Sequence, residues 1–298
     1  MTQFLQATVA GLSLASIYAL LALGFVIIFK STQVLSFAHP ALMIFGAYFV
    51  SYFAVTVGIN FWLALLIGVV LTALLGAAIE RFTLRRLVGK PLFSLAILTI
   101  GLDISIRVVV NNLIGVNLRG VGDPWGFASI RWGGVVIEQR VVAMFITAVI
   151  AAVGFLAFFK FTRVGLAMRA TASDQEVAMA QGISVHRIFA LAWILGGALA
   201  AVAGMFAASG AAGLSQNNWI VALKALPAIV VGGLDSVHGA IVGALIIGLA
   251  EGYSATYQAH YLPWLGTNFS QVVPYLVMLI VLLIKPYGLF GTEEVERV

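Results

Sequence analysis

The chain has 298 residues, 62% hydrophobic and only 9% charged, with a formal net charge of +5 and a mean hydropathy of +1.09. A soluble domain carries about 25% charged residues; 16 Lys and Arg with 11 Asp and Glu are too few to cover a water-facing exterior. That excludes a soluble enzyme, a nucleic-acid-binding module and a disordered linker, and the absence of Cys excludes disulfides and thiolate metal sites.

The opening Met1–Gln6 lacks the positive region of a secretory signal, so the first apolar stretch is expected to stay as a membrane span. A helix crossing about 30 Å of hydrocarbon needs about 20 apolar residues. Such runs lie at Ala7–Phe29, Leu35–Val57, Phe61–Ile79, Leu92–Leu113, Val141–Phe159 and Ile188–Ala208. Three more follow at Trp219–Leu234, Ala240–Tyr257 and Gln271–Ile284. The second contains His39-Pro40 and the seventh is short with Pro227 inside it, so both are read as broken or re-entrant. The expected fold is an all-α integral membrane protein, one transmembrane domain over 1–298. It is a polytopic bundle of eight to nine helices.

With the N-terminus outside, eleven of the 16 Lys and Arg fall in inner loops: Lys30, Arg81, Arg85, Arg86, Lys90, Lys160, Arg163, Arg169, Arg187, Lys285 and Arg297. Three, Arg119, Arg131 and Arg140, fall outside. This is the positive-inside bias, not a nucleic-acid footprint. The outer loop at about 115–140 carries Asp123-Pro124-Trp125-Gly126 and Arg131-Trp132-Gly133-Gly134, the marks of turns and of an interfacial hairpin. The inner stretch at about 160–187 holds Ser173-Asp174-Gln175-Glu176, which fits a capping box with Ser173 as N-cap. A short helix then runs through Val177, Ala178, Met179, Ala180 and Gln181 to Gly182, placed as a left-handed C-cap before Ile183. So short a helix must pack on something.

No phosphate-binding loop, zinc-protease helix or nucleophile elbow is present, and the four histidines have no ligand-like spacing. This chain is expected to hydrolyse no ATP itself, and no metal or cofactor is expected. Small residues are abundant: Gly196 to Gly204 forms a stripe, with Gly197 and Gly204 on one face, and Gly239, Gly243 and Gly248 follow. Charges inside spans cost about 2.5–3.5 kcal/mol each on insertion scales. Asp103 and Arg107 stand four apart on one helix face, where they can pair. Lys224 and Glu251, on neighbouring antiparallel spans, are expected near opposite ends. His39 and the Asp103/Arg107 pair are placed toward the bundle interior.

Several stretches together resemble the membrane-spanning permease of branched-chain amino acid ABC importers. They are Gly11-Leu12-Ser13-Leu14-Ala15-Ser16-Ile17-Tyr18-Ala19-Leu20, Ser36-Phe37-Ala38-His39 and Arg169-Ala170. Asp174-x-Glu176-x-Ala178-x-x-x-Gly182-Ile183, Leu223-Lys224-Ala225, Val231-Gly232-Gly233-Leu234-Asp235-Ser236 with Gly239-Ala240, and Lys285-Pro286-Tyr287-Gly288-Leu289-Phe290-Gly291 complete the set. The resemblance implies a multi-pass inner-membrane subunit paired with a second related permease. Two cytoplasmic ATPase subunits drive it and an extracytoplasmic solute-binding protein feeds it. It also implies that the segment Ser173, Asp174, Glu176, Val177, Met179, Gly182 and Ile183 couples to an ATPase groove, with Val177, Met179 and Ile183 as the apolar contacts. Tyr18, Phe37, His39, Asp103 and Arg107 are the candidate solute path. Many members of the family carry Gly-Glu after this His, where this chain has Pro40-Ala41; Pro40 is expected to break the helix there. The solute is therefore a branched-chain amino acid or a related small polar molecule. The alternative is a passive channel or secondary transporter for a solute such as urea or an amide; the capped inner helix and the scarcity of buried acids favour the importer.

Overall fold

The computed structural model describes residues 1–33, 35–87, 92–261, 263–266 and 268–292. Lys90 and Arg297 lie outside the described residues, as do the side chains of Arg86 and Trp132. Helices α1 (Thr2–Thr32), α2 (His39–Ser51, continued by a π-helical turn over Tyr52–Val57), α3 (Phe61–Phe82) and α4 (Leu92–Ile114) come first. A hairpin of β1 (Ser129–Trp132) and β2 (Val135–Glu138) leads into α5 (Gln139–Phe161). Two short helices, α6 (Arg163–Ser173) and α7 (Gln175–Ala180), precede α8 (Val185–Ala207), α9 (Trp219–Gly232), α10 (Val237–Tyr261) and α11 (Val273–Ile284). Among the described residues seven helices are long and apolar enough to cross a membrane, while α9 and α11 are apolar but shorter. Among the described residues, seven long and two short apolar helices match the expected bundle, to which the small β-hairpin is added.

Helix α1 is the axis. It is apolar all round, so it belongs inside the bundle, and most of it from Ala15 to Ile28 is buried. It packs on α10, α8, α5 and α9. Its seam with α10 is made of small residues, which let backbones approach. A Cβ at Gly252 would sit 2.5 Å from the Cα of Gly11, and one at Gly248 2.5 Å from the Cα of Ala15. The stripe on α8 serves more than one face: Gly196 meets Gly24 and Ile28 of α1, Gly197 meets Thr72 of α3, and Gly204 meets Met43 of α2.

Pro40 does not break a helix. It stands in the first turn of α2, where its missing N–H had no partner to lose, so it starts the helix. The break lies upstream, and α2 opens at His39, whose ring stacks on Phe25 with centroids 4.0 Å apart. Phe25 is seven residues from the end of α1, about 10 Å along the axis. Helix α2 therefore begins within the bundle, not at its edge.

The two ends of the bundle are closed differently. At the loop end, Gly133 and Gly134, with φ of 57° and 85°, make the two-residue hairpin turn that needs positive φ at both positions. Arg119 and Leu214 exchange backbone hydrogen bonds at 3.0 and 2.7 Å, and Arg140 Nη1 donates to the Ser209 carbonyl at 2.6 Å. At the basic end, which the positive-inside rule assigns to the cytoplasm, the chain after α11 returns to α9. The amides of Leu289 and Phe290 donate to the carbonyls of Val231 and Gly232 at 2.8 and 2.9 Å. Those carbonyls would otherwise be orphans of the helix end.

Candidate transport site and coupling segment

The segment between α5 and α8 is two helices, not one. Thr162 caps α6, its Oγ1 accepting the Gly165 amide at 2.9 Å, and Gly165, Met168 and Thr171 form its buried stripe. The sequence reading missed this helix, although the three-residue spacing of those positions carried the signal. Because α6 runs through Ser173, that residue has helical geometry and is no N-cap. The cap is Asp174, extended at φ −158°, whose Oδ1 accepts from the Glu176 and Val177 amides at 2.8 and 2.9 Å. Gly182 takes the left-handed conformation expected of it, φ 82°. The amides of Gly182 and Ile183 donate back to Met179 and Ala178 at 2.9 and 3.0 Å, which closes the helix end as a Schellman motif.

Packing decides which side chains are available. Ala178 is buried and Ile183 packs on the core, so Ile183 is turned inward rather than toward a partner. Val177 and Met179 are 56% and 55% exposed, with Glu176 beside them. Between this segment and the ends of α1 and α9 lies a cleft of about 680 Å³, lined in part by Lys30, Gln33, Ser173, Asp235, Tyr287 and Thr292. Lys30 Nζ donates to the Asp235 carbonyl at 3.1 Å, and the Asp235 carboxylate accepts from Thr292.

Two polar nodes lie within the bundle. In the first, Lys224 of α9 and Glu251 of α10 meet at 2.5 Å, and the Tyr18 hydroxyl of α1 donates to the other Glu251 oxygen at 2.5 Å. The expectation of opposite ends was wrong: α9 starts late, inside the bundle, so a lysine five residues into it is already deep. The second node joins α4 to the starts of α2 and α9. Arg107 Nη2 meets Asp103 Oδ2 at 3.0 Å, and the guanidinium lies 3.8 Å from the centre of the Trp219 ring. The Ala41 amide at the start of α2 faces the Asp103 carboxylate, and the Phe37 amide donates to Thr99 Oγ1 at 3.1 Å. Of the five candidate path residues, the structure pairs Asp103 with Arg107 and sets the Phe37 amide on Thr99, one turn before Asp103 on α4. Tyr18 belongs to the first node, and His39 is fully buried against α1 with neither ring nitrogen bonded.

Residues 7–282 match the model of the family described as the branched-chain amino acid transport system permease component. The chain belongs to this family. It is 30% identical to the high-affinity branched-chain amino acid transport system permease protein LivH of Escherichia coli K12, over 99% of this chain and 98% of that one. It is 29% identical to the corresponding protein BraD of Pseudomonas aeruginosa over the same shares. The fold is similar to that of PsaBC from Streptococcus pneumoniae in complex with a Fab, with a TM-score of 0.52 at 12% identity, covering 97% of this chain and 94% of that one. The family, the relatives and the seven long apolar helices make this a multi-pass inner-membrane permease.

Proposed function

We propose that this chain is the transmembrane permease component of an ATP-driven importer of branched-chain amino acids, which its relatives' names carry. It works with a second related permease, two cytoplasmic ATPase subunits and an extracytoplasmic solute-binding protein. ATP is hydrolysed by those partners, not here. The observation that carries the reading is the pair α6–α7: a helix capped at both ends, at the basic end of the bundle, presenting Val177 and Met179 to solvent. A passive channel has no use for such a projection. Closure of the ATPases moves the docked α7, and alternating access follows as rigid-body motion of the helices behind it. The solute passes the node of Phe37, Asp103 and Arg107, with Tyr18 and His39 in the supporting layer.

The test is co-purification from membranes that express all four kinds of subunit. Val177→Asp with Met179→Asp removes both exposed apolar contacts and leaves every buried one. ATPase subunits should be lost from the purified complex while the permease remains folded and inserted. Full retention of the ATPases and of uptake would reject the coupling assignment.

A further inference from the structure

Asp103 and Arg107 are paired, but neither is saturated. Nη2 of Arg107 meets Oδ2 of Asp103 at 3.0 Å. Asp103 is 7% exposed; Arg107 and the Ala41 amide face its carboxylate, yet its Oδ1 has no hydrogen-bond partner, an unusual condition inside a membrane bundle. A guanidinium offers five N–H donors in a planar fork, more than one carboxylate can use. The guanidinium carbon lies over the Trp219 ring, a cation–π contact that favours its charged form there. Two helices, α2 and α9, begin beside this node, with Ala41 in the first turn of α2 and Trp219 at the start of α9, and their N-terminal dipoles favour anionic groups there.

The spare valences form a matched set. An unpaired carboxylate oxygen accepts from an ammonium, and the remaining N–H groups of a guanidinium donate to a carboxylate. We propose that Asp103 and Arg107 form a zwitterion clamp that engages the α-ammonium and α-carboxylate of an amino acid in transit, each end adding to the existing pair without breaking it. The inference rests on the importer reading above and names the part of the solute that the permease itself reads: the backbone of the amino acid, not its side chain.

The test removes the delivery protein, whose own selectivity would mask the permease. The permease–ATPase complex in nanodiscs is examined by saturation-transfer difference NMR with millimolar leucine, leucinamide (no carboxylate) or 4-methylpentanoate (no ammonium). Leucine should give the strongest transfer. Either analogue, and leucine on the charge-balanced double variant Asp103→Asn with Arg107→Gln, should fall by about tenfold, the value of one charged hydrogen bond. The double variant leaves no unpaired charge, and its recovery with bound ATPases shows that it folds. Equal transfer for leucine and both analogues, or an undiminished signal on the double variant, overturns the clamp. Leucine uptake by the full complex separates the two readings. Uptake that the double variant matches removes the clamp and keeps the importer, whereas import of neutral amides with no amino acid removes both the amino acid assignment and the clamp.

Discussion

Asp174 satisfies two amides with one oxygen, and Gly182 ends the same helix in a conformation that side chains rarely adopt. Asp174→Ala should cost about 1 kcal/mol of local helix stability, and Gly182→Val about 1–2 kcal/mol of backbone strain. Nothing lies within 4 Å of the place a Cβ would take at Gly182, so the second cost is wholly conformational. Gly182→Asn, which tolerates the left-handed region, should therefore keep most of the uptake that Gly182→Val loses, measured as leucine accumulation in cells at equal permease levels. The buried trio gives a second prediction. Lys224→Met leaves Glu251 with Tyr18 but without its cation, and breaking a buried pair costs about 3–5 kcal/mol. Lys224→Met with Glu251→Leu should recover most of that loss, read from thermal unfolding in detergent. Sequence showed the two charges but not their meeting, because residues 27 apart in sequence are joined only through helix packing.

Among the elements, the seam between α1 and α10 is the tightest test of the fold. Gly252→Leu should abolish folded protein in the membrane, since its side chain would have to occupy the backbone of α1 at Gly11. Gly154→Ala on α5, with nothing within 4 Å, should be neutral or slightly stabilising; membrane levels by immunoblot separate the two. The helices themselves were legible, because a run of about 20 apolar residues has few other readings. Their ends were less so. Pro40 looked like a break and proved to be a start, since proline is excluded from a helix interior but welcome in its first turn. Helix α6 went unseen because it is short and its large apolar residues do not share a face: Val164 and Leu166 are exposed, while Gly165, Met168 and Thr171 are buried. The small stripe on α8 was legible as a packing surface, but how it divides among α1, α2 and α3 depends on partners that no local pattern names.

For the whole molecule, orientation is open to a direct measurement, since the chain has no native Cys. A cysteine at exposed Arg131 should react with an impermeant thiol reagent in intact cells, and one at exposed Arg163 should react only after the membrane is opened. Labelling of the Arg163 position from outside would invert the topology and place α7 on the wrong side for any ATPase. Composition alone decided that the chain lives in lipid, and motif order pointed to the family that the comparisons then showed. The polar nodes form only where distant helices pack together. The return of the chain after α11 has a practical meaning. Leu289 and Phe290 stitch themselves to the end of α9, the helix that carries Lys224 two turns further in. A fusion or affinity tag joined close behind residue 290 would pull on that stitch, and the pull would be felt at the ion pair with Glu251. A long flexible spacer before a fusion spliced directly behind residue 290 should therefore preserve uptake that the same fusion without a spacer loses.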